Sequence, residues 1–326
     1  MKAAICSEYG SPELVQIQEV EKPAPGDGEV LIRVKAASLN PLDWHLKRGK
    51  PIVGRLMTGL RRPNDVRMGV DMAGEVVAAG SNASGLRPGD AVFGSCHGAL
   101  AEYACAPASA VALKPDGVTF EQAACAPVAG YTALQGLRDK GRVQPGQKIL
   151  INGAAGGVGT FAVQVGKWLG AEVTGVCSVR NADLLRKIGA DRVVDYTRED
   201  FTASGQRYDL ILDLVANHSL AKCRRALMPK GTYVLAGVLS GRWGAFLATI
   251  MQVMALSAFA EQRLLIVGAK RSKDDLNVIG ELMASAKVTP VIDTAYELGD
   301  AARAIHHLEE GHARGKIVIR VAGEGR

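Results

Sequence analysis

The sequence predicts an α/β protein in which a doubly wound parallel sheet is joined to a barrel-like β part, and three observations carry the prediction. Up to about residue 115 the chain reads as short strands cut by Pro-Gly and Gly-Asp turns. From about residue 117 strands alternate with helical patterns, as βαβ units do. A glycine-rich turn separates the first of these later strands from the helix after it. With 326 residues the chain also exceeds the length at which one hydrophobic core stops growing, so two domains are expected.

In the first part the strands are "LVQIQEVEKP", "GEVLIRVKAASL", "GEVVAAG", "GDAVFG" and "AEYACAP". The second part offers "KILIN", "EVTGVC", "RVVDY", "DLILDLV", "GTYVLAGV" and "QRLLIVGA", six strands that make a complete doubly wound sheet. Between the first two, Val158, Phe161, Ala162, Val165 and Leu169 fall at helical spacing and form one apolar stripe. Beyond about residue 270 come a helix ("KDDLNVIGELMASAK"), a strand ("VTPVID"), a second helix ("ELGDAARAIHHLEEG") and a last strand ("GKIVIRV").

Composition narrows the function classes. Hydrophobic residues make up 48% and charged residues 22%, which is ordinary for a globular protein and argues against disorder. The net charge of +6 raises nucleic acid as a partner, but Lys and Arg are scattered rather than gathered in an arm or stripe, so no nucleic acid is expected. Six cysteines without a C-x-x-C pair fit a reducing cytoplasm, and "MKAAICSEYG" lacks the core of a signal peptide. The longest uncharged run, Gly244 to Ala260, falls short of a membrane span, so no integral membrane segment is expected. Phe246, Ile250 and Met254 recur in it every four residues with Leu247 and Met251 beside them. A helix there would show a broad apolar face, to wall a substrate pocket or to meet a second subunit.

Gly153, Gly156 and Gly159 are spaced G-x-x-G-x-x-G, with Gly157 added, directly between a strand and a helix. In that context Ala155, Gly156, Gly157 and Val158 are candidates to line a dinucleotide's pyrophosphate at the helix start; the alternative is an ordinary tight strand–helix turn. Folds of this kind that prefer NAD carry an acid at the end of the second strand, for the ribose 2′-hydroxyl. Here that strand ends in Cys177 and Ser178, and the next acid, Asp183, falls inside the following helix. Ser178 can donate to a 2′-phosphate and Arg180 can pair with it, which favours NADPH. The alternative has Ser178 capping the helix and Arg180 solvated. Tyr196 is a candidate for the adenosine side, or a half-buried strand tyrosine.

The chain resembles the medium-chain dehydrogenase/reductases, and within them the zinc-free quinone oxidoreductase branch, through "NGAAGGVG", "GADRVVDY", "SLNPLDWHLKRG" and "GVDMAGEVVAAG". The resemblance implies a GroES-like catalytic domain over residues 1–116 and an NADP-binding Rossmann domain over 117–262. Residues 263–326 would then complete that sheet and return to the catalytic domain, with catalysis in the cleft between the two and a homodimer as the assembly. It also puts Asn40, Val70 and Val128 where zinc-dependent relatives carry Cys, His and Cys, so no metal is expected.

By the same resemblance Asn40, Asp43 and His45 face the cleft, Asn40 orienting cofactor or substrate, with Thr132 near the nicotinamide. Val215, Gly237, Val238 and Lys316 are expected cofactor contacts, although Lys316 also reads as a surface charge ahead of the last strand. His45 is the local proton donor in this reading because histidine titrates near neutral pH, and it stands where relatives carry Tyr. The plainer reading lets Asp43 fix a loop and His45 pack, with water giving the proton. Without a Lewis acid, suitable substrates delocalise the incoming hydride, so small apolar quinones or α,β-unsaturated carbonyls are expected. The rivals are a cofactor-binding protein without useful catalysis and a zinc alcohol dehydrogenase.

Overall fold

A computed structural model describes residues 1–49, 55, 59–83, 85–237, 243–257 and 259–321, so Val238 lies outside the described residues. The chain forms two compact units. One gathers residues 1–128, 271–286 and 290–326, the other residues 129–270 and 287–289.

In the first unit β1 (Lys2–Ile5) pairs antiparallel with β2 (Gln16–Glu19). The larger sheet is built from β3 (Glu29–Ser38), β4 (Asp71–Ala79), β5 (Ala91–Ser95), β6 (Tyr103–Pro107), β7 (Val111–Leu113), β14 (Ile292–Glu297) and β15 (Lys316–Arg320). Its order is β14-β15-β3-β4-β5-β7, with β6 also on β3. Ile32, Val34, Met72, Leu100, Ile317 and Ile319 fill its core. The strand expected at "VTPVID" begins only at Ile292, since Pro290 has no N–H for a ladder. Antiparallel pairing of β15 with β3, Val318 opposite Ser38, carries the C-terminal segment to the end of β3, where Leu39 N–H donates to Ile317 O at 3.0 Å. That register delivers Lys316 to the helix Pro41–Arg48, which starts just beyond.

The second unit is a six-stranded parallel sheet in the order β10-β9-β8-β11-β12-β13. Its strands are β8 (Lys148–Asn152), β9 (Glu172–Cys177), β10 (Arg192–Asp195), β11 (Tyr208–Asp213), β12 (Leu227–Leu235) and β13 (Arg263–Ile266). This is the doubly wound arrangement the sequence predicts, reversing direction between β8 and β11, where ligands bind outside the strand ends. Ile149, Leu150 and Ile151 are buried on both faces, as covered parallel strands are. The helix Gly157–Trp168 lays Phe161, Ala162 and Val165 into the interior. The helix Trp243–Leu256 buries Thr249 and Val253, with Ile250 half-buried against the same core. Leu247, Met251 and Met254 stay exposed, so its apolar residues are split between core and surface. Among the described residues no helix is long and apolar enough to cross a membrane.

Candidate functional site

At the end of β8 the chain turns through Gly153, whose φ of 87° lies in the left-handed region that favours glycine. A Cβ at Gly159 would stand 2.2 Å from Gly153 O and 2.6 Å from the Ala154 backbone, so the helix start can lie against the turn only without a side chain there. Gly156 is different: the nearest atom to a Cβ would be Gly153 O at 3.6 Å. That open face, bounded by Ala155, Gly157 and Val158 at the start of a twelve-residue helix, fits a pyrophosphate, because the first N–H groups of a helix precede its internal ladder.

The loop after β11 closes on this turn. A Cβ at Gly153 would meet Val215 Cγ2 at 2.7 Å, and one at Gly237 would meet Leu214 O at 2.5 Å. Val215 therefore flanks the glycine turn, and Gly237 lies against the backbone of its neighbour Leu214. Holding this loop is a residue that the sequence reading passes over. Asp213, fully buried at the end of β11, accepts from Asn152 Nδ2 (2.9 Å), Val215 N (3.1 Å), Ala216 N (2.9 Å) and Tyr233 Oη (2.8 Å). A carboxylate closing the apolar run "DLILDLV" is the signal that could have found it, because burial there demands several donors.

At the end of β9, Ser178 occupies the first position of a short 3₁₀ turn over Val179–Asn181, but its hydroxyl makes no capping bond. The capping alternative is thus not what its side chain does. Tyr196, more than half exposed, is held beside it by its N–H on Cys177 O at 3.1 Å, and Arg180 is exposed. Thr132 is buried in the helix Pro127–Leu134.

In the first unit Asn40, Asp43 and Lys316 come together around Asp71. Lys316, read from sequence as a cofactor contact or a surface charge, is 3% exposed and donates to Leu39 O at 2.8 Å and Asn40 Oδ1 at 2.6 Å, with Asp71 Oδ2 at 3.7 Å. Burial is the correction to its reading as a surface charge. Asp71 also takes Asn40 Nδ2 at 2.9 Å, Ser95 Oγ at 3.2 Å and the Val128 N–H. Burial raises the Asp71 carboxyl and the nearby ammonium opposes this, while every group hydrogen-bonded to it is a donor, which suits the carboxylate.

Asp43 Oδ2 accepts the Asn40 N–H, but its Oδ1 is buried without a hydrogen-bond partner, and burial pushes the carboxyl up to about 7. His45 is also buried, against Trp44 at 3.9 Å between ring centroids, and desolvation takes it down to about 4. The expectation that His45 titrates near neutrality is therefore corrected. At pH 7 the ring is neutral, and the group that changes charge there is Asp43.

This donor set does not fit a zinc ion. Val70 and Val128 offer no side-chain donor, and the Asn40 amide oxygen is bound to an ammonium. Among the described residues no three His, Cys, Asp or Glu gather to hold a metal, and the Cys96 thiol, beside His97, is pushed up to about 12 by burial.

Comparison with known proteins gives the family of the chain. Residues 26–116 match the family described as "Alcohol dehydrogenase GroES-like domain", and residues 188–319 that described as "Zinc-binding dehydrogenase". The chain is 32% identical to 2-methylene-furan-3-one reductase of Solanum lycopersicum, covering 98% of this chain and 79% of that one. It is 33% identical to the chloroplastic quinone-oxidoreductase QR1 of Triphysaria versicolor, covering 92% of each. A mycobacterial protein, Rv1454c, solved as a complex with NADPH, superposes with a TM-score of 0.82 at 27% identity, over 98% of this chain and 100% of that one. The chain belongs to the medium-chain dehydrogenase/reductase superfamily, in its quinone oxidoreductase branch. It is an oxidoreductase built on a nicotinamide-dinucleotide-binding fold.

Proposed function

We propose that the protein reduces quinones or α,β-unsaturated carbonyls with NADPH and without zinc. The observation that carries this reading is the Asn40–Asp71–Lys316 network. At positions where zinc-dependent relatives hold a Lewis acid, it supplies hydrogen bonds and one buried ammonium instead. Hydrogen bonds suffice where charge is delocalised over an enolate or a quinol ring, and fall short for an unactivated ketone. The names of the relatives, a quinone reductase and a furanone reductase, agree with this substrate class.

Bound NADPH supplies the hydride. The residues that would hold it are Ala155 to Val158 at the pyrophosphate, Val215 beside the turn, Gly237 against Leu214, Thr132, and Ser178, Arg180 and Tyr196 at the 2′-phosphate end, where the uncommitted Ser178 hydroxyl supports NADPH over NADH. Asn40 orients the reactants, Asp43 holds a proton near neutral pH, and His45 packs as a neutral ring. The reading includes a homodimer and a cytoplasmic location, and six unpaired cysteines lend support to the location.

A steady-state screen of NADPH and NADH against quinones, enones and saturated aldehydes tests it, alongside zinc analysis of the purified protein. Turnover of quinones or enones with NADPH and no stoichiometric zinc is expected. NADPH binding without oxidation by any acceptor would favour a sensor or structural role, and one zinc per chain would revive an alcohol dehydrogenase.

A further inference from the structure

We infer that Asn40 donates the second hydrogen of its side-chain amide to the substrate's carbonyl oxygen as charge gathers there, with Lys316 as the positioning residue that fixes and polarises this donor. The inference rests on the reductase reading above and adds to it the group that meets the oxyanion.

The Asn40 amide has three hydrogen-bonding groups to place, one carbonyl oxygen and two N–H hydrogens. Asn40 Oδ1 accepts from the Lys316 ammonium at 2.6 Å, and Asn40 Nδ2 gives one hydrogen to Asp71 Oδ2 at 2.9 Å. An ammonium only donates and an ionised carboxylate only accepts, so the amide cannot flip. One N–H remains on a side chain that is 4% exposed, and a buried N–H calls for an acceptor. Charge favours an electron-rich oxygen in that role. Lys316 and Asp71 balance each other, and burial holds Asp43 toward its neutral form, so no excess negative charge repels it. The ammonium also withdraws density from the amide carbonyl, which strengthens the N–H on the other side of the same group.

In enone reduction the hydride adds to the β-carbon, the C=C pair shifts to join the α-carbon to the carbonyl carbon, and the carbonyl pair moves to oxygen. The α-carbon then takes a proton from water as the enolate collapses, so that NADPH, enone and a proton give NADP⁺ and the saturated ketone. An enolate concentrates charge on one oxygen, whereas a quinone spreads it over a ring and two. A single donor therefore matters more for the enone.

Asn40→Asp keeps the size and the partner for Lys316, and its carboxyl shares one proton with Asp71 where the amide gave its first hydrogen, so it has no second hydrogen to give. With a simple enone its kcat/KM is expected to fall about 100-fold, the scale of losing one oxyanion donor, and with a quinone less than about tenfold. NADPH affinity by fluorescence titration should stay within about twofold, the chain folding as before. Lys316→Met combined with Asp71→Asn removes the buried pair together, leaving no lone charge inside. It should shift the enone-to-quinone ratio in the same direction by about tenfold and add little on top of Asn40→Asp, as residues acting as one unit do. Equal losses on both acceptors, an enone rate within threefold of the parent, or lost NADPH affinity in place of turnover would overturn the inference alone. A parent chain that oxidises NADPH with neither acceptor would overturn the reductase reading, and this inference with it.

Discussion

Asp43 Oδ2 accepts the backbone N–H of Asn40 at 2.7 Å while Asp43 N–H donates to Asn40 O at 2.9 Å. The two residues thus close the first turn of the helix Pro41–Arg48 reciprocally, with Pro41 in a position where its missing N–H costs nothing. Because the site asparagine is also the start of this helix, its backbone is pinned by the same carboxyl that holds a proton near neutral pH.

That carboxyl and His45 give stability two opposing pH dependences. The folded chain keeps a proton on Asp43 up to about 7, whereas the unfolded chain releases it near 4, so the stability it contributes is present below about pH 4 and lost by about 7. His45, held at about 4 when folded, works the other way: its contribution is present above about 6.5 and lost as pH falls to about 4. Each is worth on the order of 3–4 kcal/mol, so they largely cancel in the parent. Denaturant unfolding between pH 4.5 and 7.5 should show stability rising with pH in Asp43→Asn and falling with pH in His45→Phe. Asp43→Asn with the parent's pH profile would show that the buried proton lies elsewhere.

Gly156 and Gly159 separate cofactor binding from folding. A methyl at Gly159 meets backbone at 2.2–2.6 Å, so Gly159→Ala should lose several kcal/mol or fail to fold. Gly156 has room for one at ordinary contact distance, and its φ of −81° suits alanine. Gly156→Ala should keep its melting temperature and weaken NADPH binding by about tenfold or more, because the methyl occupies the face left for the pyrophosphate. Unchanged affinity would place the phosphates elsewhere.

Legibility in the sequence followed burial. Strands β8, β9 and β11 are buried along nearly their whole length, so they read as apolar runs, and the glycine turn stands out because its constraint is local. β1 and β7 have four and three residues, too few to show a period. The polar network was hidden for another reason: Lys316 meets Asn40 across 276 positions, and a lysine opening "KIVIR" reads as exposed until the pairing of β15 with β3 is known. The shift of His45 comes from burial alone, which no local pattern encodes. Asp71 did leave a trace, as a carboxylate inside the apolar run "GVDMAGEVVAAG".

Nucleotide preference should rest on Ser178 and Arg180. On the proposed pairing of Arg180 with the 2′-phosphate, a charge-assisted bond worth about 1.5–3 kcal/mol, Arg180→Ala should lower NADPH affinity about 10- to 100-fold and leave NADH affinity, measured by the same titration, unaffected. Ser178→Ala should act in the same direction with a smaller effect. A parent chain preferring NADH, or equal losses for both nucleotides, would refute the assignment.

Asp213 draws its neutral donors from β8, the loop after β11, and β12. Tyr233 supplies the hydrogen bond on Oδ2, and Tyr233→Phe leaves that buried oxygen without it, at a cost of about 1–3 kcal/mol. The same carboxylate holds the N–H of Ala216, a buried alanine at φ 54°, in the left-handed region. Loosening Asp213 should therefore release strain in the loop that carries Val215 against Gly153, and NADPH binding should weaken several-fold along with stability. Ala216→Gly separates the two effects. Glycine adopts that φ without the roughly 1 kcal/mol penalty, so it should stabilise the parent and restore part of the affinity lost in Tyr233→Phe. If Ala216→Gly restores stability but none of the affinity, the loop does not position the cofactor.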